Sequence, residues 1–268
     1  MRPTPRRIRT KLAADSPALG VTLQLPSPEA AEIAGYAGLD FVWIDAEHGT
    51  MTLADINAMV RAADAGGLDA IVRVPDHSAS FIQRVLDIGA SGIIAPHIRS
   101  LDEARAIVAA TKYPPEGIRG ACPSVRAVGH LAPDWPTERQ RAQSDVMAFG
   151  LIEDLEGVEN VEAIAAESGL YGLLFGSFDL AMELGLDGDV THPKIQAMGA
   201  RVLTAARRAN IEYLGLPDWG GGSIESLAGQ GVRIFNVSGD RGGLFTLFSA
   251  GRTAAEKALA TIGAVSQA

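Results

Sequence analysis

The chain has 268 residues, 47% of them hydrophobic and 21% charged, a balance that supports a large packed core and excludes disordered and low-complexity classes. With 23 basic against 32 acidic residues and a net charge of −9, it lacks the basic footprint of a nucleic-acid binder, so small molecules are the expected partners. A lone cysteine, Cys122, excludes a disulfide framework or a thiolate zinc cluster within one chain. No apolar run reaches the length of a membrane helix, so a soluble, cytoplasmic protein is expected.

Arg2, Arg6, Arg7, Arg9 and Lys11 precede the first acid, Asp15. They can be read as a transit peptide, but no apolar segment follows them as a secretory signal requires. The preferred reading is a short basic helix over residues 6–14 that closes one end of the domain. From about residue 20, apolar strand-like runs alternate with segments of helical period. Strands are predicted at 20–25, 41–45, 69–74, 92–95, 147–152, 172–175, 212–216 and 232–236. The helices fall at 27–37, 53–65, 78–88, 100–111, 158–167, 193–210, 223–230 and 242–262. This alternation predicts an α/β protein, a (β/α)8 TIM barrel forming a single domain over 1–268. No GxGxxG follows the first strand, which argues against a dinucleotide-binding sheet. Residues 112–143 form a long Pro/Gly/Arg-rich loop before the fifth strand, of a kind that is usually functional or packed against a partner.

Chemistry in such barrels sits at the C-terminal ends of the strands. Those positions hold Asp45-Ala46-Glu47-His48, Arg73, Glu153, Gly176-Ser177-Phe178-Asp179, Ser238 and Asp240. Glu153 and Asp179 follow adjacent strands, and two carboxylates side by side suit a hard divalent cation; the competing reading is a salt bridge for Glu153 and a helix cap for Asp179. His48, near Asp45 and with Asp87 on the helix after the third strand, is a candidate proton carrier or a hydrogen-bonded loop histidine. Arg73 ends an apolar strand, where a guanidinium can hold a carboxylate or oxyanion or bridge two loops. The chain has four lysines, Lys11, Lys112, Lys194 and Lys257, none at a predicted strand end, which argues against a Schiff base. Gly220, Gly221, Gly222 and Ser223, with Gly239, Gly242 and Gly243, offer a weak phosphate-loop signal or simply tight turns.

These residues resemble the HpcH/HpaI aldolases over about 20–240. The resemblance rests on Phe41-Val42-Trp43-Ile44-Asp45-Ala46-Glu47-His48, Val72-Arg73-Val74, Leu86-Asp87-Ile88-Gly89-Ala90 and Gly92-Ile93-Ile94-Ala95-Pro96. It continues through Tyr113-Pro114-Pro115-Glu116-Gly117-Ile118-Arg119-Gly120, Ile152-Glu153 and Gly176-Ser177-Phe178-Asp179-Leu180. It implies a metal-dependent pyruvate aldolase that makes or cleaves 4-hydroxy-2-oxo acids through a pyruvate enolate and an aldehyde, assembled as a homohexamer. By the same resemblance Glu153 and Asp179 hold Mg²⁺, Mn²⁺ or Co²⁺, and His48 transfers the proton with Asp45 and Asp87 as its carboxylate partners. Arg73 meets the pyruvate oxygen, Ser177, Phe178 and Asp179 line the substrate, and Arg126 meets the aldehyde. Two departures, Leu151 in place of a glutamine and Ser177 in place of a proline, bear on the pocket. The rivals are a phosphate-binding isomerase or epimerase, a CoA-thioester lyase of related fold, and a non-catalytic barrel.

Overall fold

A computed structural model describes residues 7–217 and 222–265. The strands β1 (Ala18–Leu23), β2 (Phe41–Asp45), β3 (Asp69–Arg73), β4 (Gly92–Ala95), β5 (Met147–Ile152), β6 (Gly172–Phe175), β7 (Glu212–Gly215) and β8 (Ile234–Gly239) run parallel in chain order. β8 pairs back onto β1, so the sheet is a closed barrel. Helices α1 (Arg7–Ala13), α2 (Pro28–Tyr36), α3 (Leu53–Ala65), α4 (Ala79–Ile88), α5 (Leu101–Thr111), α6 (Trp135–Ser144), α7 (Leu155–Glu159), α8 (Val161–Glu167), α9 (Ser177–Glu183), α10 (Pro193–Arg208), α11 (Ile224–Gly229) and α12 (Asp240–Val265) complete the (β/α)8 architecture. Their starts are written locally: Thr52 and Ser100 each form a capping box, with Asp55 and Glu103. Helix α4 stops at Gly89, whose φ of 103° favours a residue without Cβ.

Strand side chains alternate, and this alternation builds both the core and the site. Phe41, Trp43, Ile71, Ile94, Met147, Phe149, Leu151, Leu174, Leu214 and Ile234 form one buried cluster inside the barrel. Val42, Ile44, Val72, Ile93, Ala148, Leu173 and Phe235 pack outward in a second cluster with the helices. Continuing the inner set by two residues leads from Trp43 to Asp45, from Ile71 to Arg73 and from Leu151 to Glu153, all at one mouth.

At the other mouth lies α1. Ile8 is fully buried, its N–H donates to Asp69 Oδ2 at 2.8 Å, and Arg7 pairs with Asp40 at 2.7 Å. The first strand begins two residues earlier than predicted because Ala18 N–H bonds Arg233 O. The last strand runs to Gly239, since pairing with β1 continues past a register shift at Gly20/Val21. The helix predicted at 158–167 is broken into α7 and α8 around Asn160.

The long loop is more structured than its composition suggests. It carries a 3-10 turn at Arg126–Val128 and α6, held by a small cluster of Tyr113, Val128 and Ala142. Helix α12 packs against β1 and β8. Its Phe245, Leu247, Phe248 and Leu259 are exposed, as are Leu19 and Val237 on the barrel wall.

Candidate active site at the barrel mouth

Asp45 is completely buried at the end of β2, a position that costs several kcal/mol unless the charge is paired. Arg73, next to it in register on β3, supplies that pairing as a fork: Nε donates to Asp45 Oδ1 at 2.8 Å and Nη2 to Oδ2 at 2.6 Å. Gln24 Nε2 donates to Oδ2 at 2.8 Å, and the main-chain N–H groups of Glu47 and His48 donate to Oδ1 at 3.2 Å. Burial alone raises the Asp45 carboxyl, but the Arg73 fork more than offsets it and holds the group below its ordinary value. The same Arg73 places Nη1 3.0 Å from Glu47 Oε2 and lies over the Trp43 ring at 5.2 Å.

Glu153 follows β5 and is buried. Its Oε1 accepts the His97 N–H at 2.9 Å. Burial pushes its carboxyl up to about 7; His97 pulls it down, while the charges of Glu47 and Asp179 push it further up. His97, just past β4, has a left-handed φ of 51°. Its Nδ1 lies 3.1 Å from Asp154 Oδ2 and 3.6 Å from Glu153 Oε1, and its Nε2 lies 3.9 Å from Glu47 Oε1. Glu47, His97 and Glu153 thus each bring one ligand atom within 4.8 Å of the others.

The structure gathers Asp45, Arg73, Glu153 and the His48 main chain at this mouth, with the exposed His48 ring 3.7 Å from Glu47. Asp179 lies in the first turn of α9, exposed, near enough for its charge to act on Glu153 but outside the three-residue cluster. Ser177 is buried beside it, and Phe178 is half exposed with its ring against Gly188. Leu151 is part of the barrel interior.

Two of the expected residues find other partners within this chain. Asp87 Oδ1 accepts Arg119 Nη2 at 2.7 Å, and Arg119 is buried against the Tyr113 ring. That pair anchors the long loop to α4. Arg126 ion-pairs with Asp64 and donates to Ile88 O, at the C-terminal ends of α3 and α4. Those helix ends lie toward the mouth opposite the carboxylates, because each helix runs antiparallel to its strands. His97 and Glu47 were missed as metal-directed groups, although Pro96-His97 directly follows the end of a predicted strand.

None of the four lysines joins the cluster. Lys11 lies on α1, Lys112 ends α5, Lys194 opens α10 and Lys257 is on α12. Gly220 and Gly221 lie outside the described residues, whereas Ser223 caps α11 by accepting the Ser226 N–H.

A closed parallel barrel with buried acids, a paired arginine and histidines at the C-terminal mouth defines an enzyme of the aldolase and lyase kind. The model of the HpcH/HpaI aldolase/citrate lyase family matches residues 19–237, and the chain belongs to that family. It is 37% identical over 211 residues to hydroxypyruvate/pyruvate aldolase of Paraburkholderia phytofirmans, spanning 76% of this chain and 80% of the relative. It is 33% identical over 204 residues to 5-keto-4-deoxy-D-glucarate aldolase of Klebsiella pneumoniae, spanning 76% and 79%. The solved HpcH/HpaI aldolase of Desulfitobacterium hafniense superposes with a TM-score of 0.86 at 29% identity, covering 93% of this chain and 96% of that one.

Proposed function

We propose that this chain is a divalent-metal-dependent aldolase that makes or cleaves 4-hydroxy-2-oxo acids from pyruvate, or a close 2-oxo acid, and an aldehyde. The observation that carries this reading is the buried Glu153 carboxylate, in electrostatic reach of Asp179 and Glu47, at the mouth where Arg73 and His48 also stand. An all-oxygen pair of Glu153 and Asp179 fits Mg²⁺, Mn²⁺ or Co²⁺, and Glu153, raised by its burial, is a group that a cation would stabilise. When bound there, the ion supplies Lewis-acid polarisation of the carboxylate and ketone oxygens of the 2-oxo acid.

The chain's own residues supply the rest. His48 takes the proton from C3 of the 2-oxo acid and returns it in the cleavage direction, a role worth about 10² to 10⁴ in rate. Asp45 positions it through the His48 main chain and fixes the Arg73 plane. Arg73, held by the Asp45 fork, stabilises the enolate oxygen. The first turn of α9, from Ser177 through Phe178 to Asp179, presents main-chain N–H groups to the substrate carboxylate. Leu151 and Ser177 shape the pocket around it.

The test is pyruvate with a panel of aldehydes, after chelation and again with Mg²⁺, Mn²⁺ or Co²⁺ restored. Carbon–carbon bond formation that disappears on chelation and returns with the ion is expected. A borohydride-trapped lysine adduct, or activity indifferent to chelation, overturns the reading. A cytoplasmic homohexamer belongs to the same proposal. The uncovered apolar residues of α12 and the bare wall at Leu19 and Val237 support assembly between copies. Sedimentation at the 28.0 kDa monomer mass at micromolar concentration counts against it.

A further inference from the structure

We propose that His97 is a nitrogen ligand to the ion of this site and tilts its preference from Mg²⁺ toward Co²⁺ and Zn²⁺; this rests on the metal-dependent reading above. His97 Nδ1 lies 3.1 Å from Asp154 Oδ2, and Asp154 Oδ1 is itself held by Arg99 Nε at 3.2 Å. In the neutral ring a hydrogen bond from Nδ1–H to that carboxylate fixes the tautomer and leaves the Nε2 lone pair on the side of Glu47, whose Oε1 is 3.9 Å away. A lone pair facing a carboxylate is repulsive unless a cation lies between them. A ring nitrogen backed by a carboxylate and aimed at a shared centre is the arrangement by which metal-binding histidines are oriented.

The surroundings agree. Glu47 and Glu153 each bring an oxygen within 4.8 Å of one ring nitrogen of His97, and Glu153 is buried. Glu47 Oε2 is buried and takes no aligned hydrogen bond, although Arg73 Nη1 stands beside it. With a left-handed backbone at His97, one residue donates its N–H to Glu153 Oε1 and brings its ring Nδ1 to 3.6 Å from the same oxygen. Mg²⁺ favours oxygen ligands and gains little from imidazole, whereas Co²⁺ and Zn²⁺ accept nitrogen readily and stand higher in the divalent affinity order. A histidine added to an oxygen site therefore acts on which ion is kept.

The competing role is a built-in counter-cation, in which a protonated His97 merely neutralises Glu47, Glu153 and Asp154. The two roles predict opposite signs. Full-length chelated protein is titrated calorimetrically with Mg²⁺, Co²⁺ and Zn²⁺, alongside His97→Leu and Asp154→Asn. His97 is partly exposed, so its replacement spares the core. His97→Leu should lose about 10- to 100-fold in Co²⁺ and Zn²⁺ affinity while Mg²⁺ affinity changes little, and Asp154→Asn should lose part of the same preference. The visible spectrum of the bound Co²⁺ should change in His97→Leu, independently of turnover. Tighter binding of all three ions in His97→Leu, or an equal change for all, overturns the inference and leaves the metal-dependent reading intact. Failure of the wild-type chain to take up any divalent ion overturns both.

Discussion

At Gly176 one added methyl group acts directly on Glu153. Its φ is −93°, outside the left-handed region, so alanine brings no backbone strain. A Cβ built there meets Glu153 Cβ at 2.5 Å, Glu153 Oε2 at 2.6 Å and Leu151 Cδ1 at 3.3 Å, where ordinary contact starts at 3.4 Å. The carboxylate must therefore withdraw by about 0.8 Å, while its Oε1 stays tied to the His97 N–H. Displacement of a reacting group by about 1 Å costs roughly 10²-fold, the loss expected here in the exchange of pyruvate methyl protons with deuterium. Divalent affinity should fall with it, and overpacking should remove about 1–3 kcal/mol of stability without unfolding the chain. The assay is calorimetric metal titration with NMR of pyruvate in deuterated water. Gly229→Ala, where a Cβ meets nothing within 4 Å, serves as control. Folded Gly176→Ala with wild-type affinity and exchange would refute the placement of the metal at Glu153.

Glu153→Ala should abolish both divalent uptake and proton exchange, whereas His48→Ala should keep the uptake and slow exchange by about 10² or more; unimpaired exchange in His48→Ala removes His48 from the chemistry. Arg73→Ala leaves the fully buried Asp45 without its cation and should cost about 3–5 kcal/mol in urea denaturation. A loss below 1 kcal/mol, about the value of an exposed pair, would contradict the buried-pair account. The pH dependence has a definite sign. Glu153 titrates near 7 when folded and at the ordinary glutamate value of 4.5 when unfolded, so its contribution to metal-free stability is fully present below 4.5 and is lost as pH rises through 7. Thermal unfolding of chelated wild type from pH 5 to 8, compared with Glu153→Gln, should show that loss, and divalent affinity should weaken as pH falls below 7. Parallel curves for the two proteins refute the assignment.

Much of this site was readable because barrel strands impose a period of two. Trp43 and Ile71 face inward, so Asp45 and Arg73 must do so two residues later, and the same step from Leu151 reaches Glu153. His97 obeys the same strand-end rule after β4. It went unread because Ala95-Pro96-His97 offers one polar residue beside an apolar run, with no carboxylate in sequence to mark it. The partners of Asp87 and Arg126 were not legible: Arg119 lies 32 residues from Asp87 in a loop whose path only tertiary packing decides, and Asp64 is 62 residues from Arg126. The period of α12 predicted a helix correctly, yet whether a helix lies on its own barrel depends on partners that periodicity does not contain.

Asp240 opens α12 and accepts N–H groups from Gln24 and Leu25, tying the last strand to the end of the first across 216 residues of chain. The Asp45–Arg73 tie between neighbouring strands spans 28. At about 0.6 kcal/mol per doubling of loop length, joining the two ends carries about 2 kcal/mol more closure entropy than joining neighbours. During synthesis the growing sheet therefore holds two raw edges, at β1 and at its newest strand, until residue 240 has left the ribosome. Every earlier strand waits in an open sheet able to pair with another unfinished chain, and the hazard ends only when β8 closes on β1.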